Sequence, residues 1–132
     1  MFAKTQMPAI SFSFPDVCKV TTPAGPIPMP FPNIALSTLT VPNVFNIFVM
    51  CMPVHNLMSR TVLSNGNEAS APLGGVVSNQ FIGCMSNLTC STTVFYSCGP
   101  STRMLDMSSQ NGAADNMPGA NLSPSQAKVA NG

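Results

Sequence analysis

Cys51 and His55, in the run Cys51-Met-Pro-Val-His55, are the residue types of a thiol nucleophile and its base. Pro53 lies between them and excludes a shared helix face. In an extended strand, at about 3.3 Å per residue, the pair stands about 13 Å apart at Cα. They therefore do not touch locally. The same stretch occurs twice: "CMPVHNLMS" at 51–59 and "CGPSTRMLD" at 98–106. Cys51 falls on Cys98, Pro53 on Pro100, Leu57 on Met104, and the lead-in Ile47-Phe48 on Val94-Phe95. Thr102 stands where His55 would recur. A unit that repeats without its histidine is a structural unit, so no catalytic residue is expected, and Phe48 and Phe95 are read as equivalent core anchors.

Metal binding is the second chemistry to weigh. His55 and the five cysteines, at positions 18, 51, 84, 90 and 98, could supply tetrahedral zinc ligands, but no zinc-finger spacing occurs. Cys18 and His55 are the candidate ligands. Cys84, Cys90 and Cys98 read as small buried apolar residues, as do most of the ten methionines. The carboxylates Asp16, Glu68, Asp106 and Asp115 are scattered and suggest no acid–base pair. Two Asn-x-Ser/Thr triplets, at Asn87 and Asn121, read as chance in a chain rich in these residues.

The elements that must hold these residues are strands. Thirteen prolines and nine glycines rule out long helices. Strand-like runs ("VFNIFVM", "RTVLS", "GVVSNQFIG", "TTVFYS") alternate with turn signals at Asn65-Gly66, Gly74-Gly75, Gly99-Pro100 and Asn111-Gly112. The expectation is an all-β domain of short hairpins. Pro26, Pro28, Pro30 and Pro32 make an irregular, proline-rich segment that can pair on one side only. The tail from Ser108 reads as a loop with a short final strand near "SQAKVA".

Composition fits a single domain over 1–132. Charged residues make up 7% of the chain, against about 25% in a typical domain. With a net charge of +1 and no basic run, nucleic acid is excluded as a partner. So few charges imply a surface largely covered by another protein. The N-terminal run lacks the features of a signal peptide, and no apolar run approaches the roughly 20 residues of a membrane span. A cytoplasmic start without stable membrane insertion is expected. In that reducing compartment an odd cysteine count gives no disulfide framework.

Five stretches in order, "FPDVCKVTTPAGPIPMPFPNIA", "CMPVHN", "GGVVSNQFIG", "STRMLDMSSQN" and "NMPGANLSPSQAKV", resemble the successive motifs of PAAR-like proteins, the spike-tip proteins of contractile injection machines such as type VI secretion. The resemblance spans about 14–129. It implies a small cone of β-hairpins with pseudo-threefold repetition, of which two copies are visible in the sequence. It implies a non-enzymatic role: capping the trimeric VgrG β-helix, one chain per trimer, sharpening the tip and coupling separate effector proteins to it. The protein would then leave the cytoplasm when the machine fires. The proline-rich edge, through Pro28, Pro30, Phe31 and Pro32, is the expected spike-binding stretch. Many PAAR proteins hold zinc near the tip, and here only Cys18 and His55 match plausible ligand positions. A small thiol or zinc enzyme, or a stand-alone β ligand-binding module, is the alternative.

Overall fold

The computed structural model describes residues 1–80, 82–97, 99–112 and 116–130. Its strands are β1 (Ile10–Thr22), β2 (Gly25–Leu36), β3 (Thr40–Val41), β4 (Val44–Val49), β5 (Met52–Val54), β6 (Arg60–Thr61), β7 (Gly74–Gly75), β8 (Met85–Asn87), β9 (Phe95–Tyr96), β10 (Gly99–Pro100), β11 (Met107–Gln110) and β12 (Met117–Asn121). The fold is all-β and antiparallel. The main sheet runs β2-β1-β12-β11-β8-β6-β3, and β4-β5 and β9-β10 form two further hairpins.

The proline-rich segment is β2, a strand whose ladder with β1 carries one irregularity, between Ser13 and Asp16. It pairs with β1 from Ile10↔Leu36 to Thr22↔Gly25 and ends the sheet. Strand N–H groups point alternately to the two sides. Prolines at every second position therefore strip donors from one side and leave Ile27 and Met29 with theirs. The Asn65-Gly66 turn forms as expected. Gly66 has φ +129°, and a Cβ there would lie 1.9 Å from the Pro32 carbonyl oxygen.

The repeat seen in the sequence is a repeat in space. Phe48 pairs with Pro53 and Val49 with Met52 in the first hairpin; Phe95 pairs with Pro100 and Tyr96 with Gly99 in the second. Met50 and Cys51 have φ 51° and 65°, the two left-handed residues of a tight hairpin turn, and Ser97 repeats the first of them at φ 57°. Cys98 lies outside the described residues. The equivalence continues into the sheet: Thr40↔Thr61 in β3 and β6 corresponds to Asn87↔Ser108 in β8 and β11.

A third copy exists, assembled from both ends of the sequence. Asn121 of β12 pairs with Ser11 of β1, as Asn87 does with Ser108. The flanking bonds match: Leu88 N–H donates to the Met107 carbonyl at 2.9 Å, and Leu122 N–H to the Ile10 carbonyl at 3.0 Å. Where the other copies have a hairpin it has a single bridge between the two chain ends, Phe2 with Ala130, in the places of Pro53↔Phe48 and Pro100↔Phe95. The tail expected as loop thus supplies the centre of the sheet through β11 and β12, and its final strand is the single pairing at Ala130. Of the described residues of "GVVSNQFIG", Gly75 alone is strand, as the second residue of β7. The chain then turns, because the Asn116 carboxamide holds the N–H groups of Val77 and Ser78.

The burial pattern is inverted. Among the described residues, polar and charged side chains outnumber apolar ones in the buried set by more than three to one. The paired inner positions Thr40, Thr61, Ser11, Ser108 and Asn121 are at most 2% exposed. Meanwhile Phe48 is 59% and Phe95 63% exposed, so neither anchors a core. Most described methionines also lie at or near the surface; Met85 alone is in the buried set. Cys84 and Cys90 are half-buried. The apolar cluster that does form, Val44, Val54 and Tyr96 with Ile47, Val49 and Val94 against it, joins the first two hairpins.

Asn121 holds this interior together. It accepts from the Ser11 hydroxyl and from Lys4 Nζ at 2.9 Å, and donates to Asn87 Oδ1 and the Arg103 carbonyl, both at 3.4 Å. Asn121→Ala leaves a buried ammonium and two acceptors short of partners. We expect a loss of about 3 kcal/mol. The adjacent outward residue behaves oppositely: Leu122→Ser should stay within about 0.5 kcal/mol of the parent. Urea unfolding of the two variants checks both values.

Candidate functional site: the threefold centre and its hairpins

Between each hairpin and its inner strand the chain passes through one equivalent residue: Lys4, His55 and Thr102 in the three copies. Three equivalent backbone bonds lock the passes together: Met104 N–H to the Phe2 carbonyl at 2.8 Å, Gln6 to Pro53 at 3.0 Å, and Leu57 to Pro100 at 2.9 Å. Lys4 N–H donates to the Thr102 carbonyl and His55 N–H to the Lys4 carbonyl, each at 3.0 Å. The Thr102 hydroxyl donates to the His55 carbonyl at 3.4 Å. The three residues close a triangle.

Their side chains are fully or nearly fully buried. His55 Nε2 lies 2.8 Å from Gln6 Oε1, an acceptor, so Nε2 carries the proton. Nδ1 is left as an unpaired lone pair. Burial, with the Lys4 charge adding to it, lowers the imidazole pKa from 6.5 to about 3. Lys4 Nζ reaches Ser11 Oγ at 3.2 Å and Asn121 Oδ1 at 2.9 Å. Burial lowers its pKa from 10.5 to about 8, with the Asp106 carboxylate working against that shift. Asp106 itself pairs with Arg103 at 3.1 Å.

Cys18 belongs to a different cluster. It sits on β1 opposite Met29 and Gly75, fully buried. Its Sγ accepts from Asn67 at 3.5 Å and Asn111 at 3.6 Å, and burial pushes the thiol pKa up. Beside it the buried Asp16 carboxylate accepts from Asn33, Asn67 and Asn116. Cys18 and His55 share no hydrogen-bonding partner. Among the described residues no three His, Cys, Asp or Glu side chains gather as metal ligands. Among the described residues, Cys18 and His55 stand in separate hydrogen-bond clusters, so the two ligand positions that the resemblance implies are not brought together.

Among the described residues, His55 faces Gln6 and Cys51 lies exposed on a hairpin turn, so these two are not paired as nucleophile and base. A half-open depression lined by Phe2, Lys4, Arg103, Met104 and Asn121 has about 210 Å³ of empty space, open solvent included. Pro28, Pro30 and Pro32 lie exposed along the edge strand with Phe31 half-buried. Phe48 and Phe95 stand on the two hairpins. Lys4, Thr102 and Asn121 carry as much of the centre as His55 does. The signal for Asn121 was the pair of triplets Asn87-Leu88-Thr89 and Asn121-Leu122-Ser123, which are one structural position written twice.

The centre makes stability pH-dependent in two windows. Between about pH 6.5 and 3 the unfolded chain binds a proton at His55 that the folded chain refuses. The unfolded state then holds more protons, so stability falls as pH drops through this window, by up to about 1.4 kcal/mol per unit. Lys4 acts likewise between about 10.5 and 8, where raising the pH stabilises the fold. His55→Gln keeps the bond to Gln6 and should flatten the acid limb. Urea midpoints of parent and variant from pH 7 to 4 measure the difference.

Neither the curated proteins nor the solved structures contain a match to this chain. The family models do: the one described as "Toxin PAAR-like domain" matches residues 9–119, a span that includes the two hairpins, the inner strands of the first two copies, and β1 with part of β12 from the third. With its all-β repeat, its threefold centre and that match over most of its length, the chain belongs to the toxin PAAR-like domain family.

Proposed function

We propose that the protein is a structural spike tip: one chain caps the end of a trimeric VgrG-type β-helix in a type VI-like contractile injection machine and couples separate effector proteins to it. The observation that carries this reading is the closure of three equivalent chain passes around one centre. A single chain with three copies of one unit can present the same contact to each subunit of a trimer. Strand ends of a trimeric β-helix are open edges that need covering, and hairpins can pair with them by strand addition. The near absence of charge and the apolar exterior support a surface made for burial. On this reading the protein waits in the cytoplasm and leaves with the spike on firing.

Co-expression with the VgrG-type trimer of the same genome, followed by light scattering of the purified complex, tests the proposal. We expect one chain per trimer. A monodisperse chain that stays free of every such trimer overturns it.

A further inference from the structure

We infer that the chain cross-links itself: the Lys4 amine attacks the Asn121 carboxamide, ammonia leaves, and an isopeptide bond ties the N-terminal segment to β12. The two groups are placed for it. Lys4 Nζ stands 2.9 Å from Asn121 Oδ1, and the residues are 5% and 2% exposed. The Ser11 hydroxyl donates to the same Oδ1, which polarises the carbonyl and steadies the negative charge that attack puts there. Asn121 Nδ2 donates to Asn87 Oδ1 and the Arg103 carbonyl, which fixes the plane of the carboxamide. Reactants held in one geometry need no encounter in solution. Burial brings the Lys4 pKa down to about 8, so the neutral, nucleophilic amine is within reach near neutral pH.

The step balances within the chain. Nζ gives up one proton, and its lone pair forms the bond to Cγ of Asn121. A second proton passes from Nζ to Nδ2, the Cγ–Nδ2 bond breaks, and the ammonia released takes up the first proton. An ammonium and a carboxamide thus become a secondary amide and a free ammonium ion, with nothing oxidised or reduced. Asp106, buried and paired with Arg103, is the anion whose field acts on Lys4 and can carry the first proton. His55, which the Lys4 charge also reaches, is held neutral by its burial. The half-open depression lined by Lys4, Ser11 and Asn121 is the way out for ammonia. Lys19 Nζ also lies close to a carboxamide oxygen, Asn79 Oδ1 at 2.7 Å, but that contact is exposed and water solvates both groups. The bond closes the copy that most needs closing. The first two copies turn back through hairpins, whereas the halves of the third meet at the single bridge Phe2↔Ala130. Lys4 and Asn121 belong to those two halves, 117 residues apart. A cross-link over so long a span restricts the unfolded chain and keeps the third copy from opening under load.

The intact mass of the full-length folded protein, kept for several days at pH 8, where about half of Lys4 is neutral, tests the inference. We expect most chains to be lighter by one ammonia than the sequence requires, and fragmentation to find a branched peptide joining Lys4 to Asn121. Ring closure at Asn65-Gly66 or Asn111-Gly112 would lose the same mass, but mild base reopens such a ring, whereas the isopeptide bond survives it. Lys4→Arg keeps the positive charge and should show the full mass after base treatment. The parent result stands however that variant folds. A folded parent that keeps its full mass, with Lys4 and Asn121 in separate peptides, overturns the inference. So does a base-stable loss that persists in Lys4→Arg or maps to Lys19 and Asn79. No trimer enters the measurement, so failure here leaves the spike-tip reading standing.

Discussion

Everything in this fold depends on the hydrogen bond between paired polar side chains on the inner face of the strands. Thr40 with Thr61, Ser11 with Asn121, and Asn87 with Asn121 fill positions that a β-sandwich gives to Val and Leu. A buried hydroxyl or carboxamide is tolerated only when its partners are in place. Each inner residue therefore fixes the register of the strand opposite it more strictly than an apolar side chain would. A methylene shifted by 1 Å still packs, whereas a hydrogen bond stretched by 1 Å is lost. Short strands of two to four residues can stay aligned because their inner side chains allow one register.

The price is a fold with little conventional hydrophobic core. Val44, Val54 and Tyr96 make a small cluster between two hairpins, and most other large apolar side chains point outward. Apolar residues are 45% of the chain, so the exterior becomes the apolar surface. That combination suits a module whose stability is completed by a partner, since covering the outer wall adds the burial that the interior does not provide.

The duplicated hairpin was legible in the sequence because copies one and two keep a constant spacing from Thr40 to Ser109. Pro53 and Pro100 mark it, and both end up opposite a phenylalanine. The third copy was hidden for a physical reason: a single bridge joins Phe2 to Ala130, so its halves lie at opposite ends of the sequence and no sliding comparison brings them together. The Asn87 and Asn121 triplets carried the missing clue, masked by resemblance to a glycosylation signal. Phe48 and Phe95 were read as core because large apolar residues ordinarily go inside, and here the inside is already occupied by hydroxyls and carboxamides. The edge position of the proline-rich segment was legible, because proline removes a donor wherever it stands. Its pairing with β1 along nearly its whole length was not, since that depends on which side of the strand each missing donor faces. Cys18 and His55 were linked through motif positions alone, and the strands take them to separate hydrogen-bond clusters.

The centre also explains why the threefold pattern is built from one chain and not from three identical ones. Three copies of Lys4 would bring three ammonium groups together in a buried space, where one already has its pKa depressed. Three copies of His55 would leave three unpaired ring nitrogens where one is left now. Three copies of Thr102 would remove the cation that draws Ser11 and Asn121 together. A single chain can place one of each and give every side chain a different set of neighbours, while the backbone bonds around the triangle stay equivalent. Symmetry is kept in the backbone bonds that lock the three passes together. It is broken at the centre, where identical side chains would compete for the same partners.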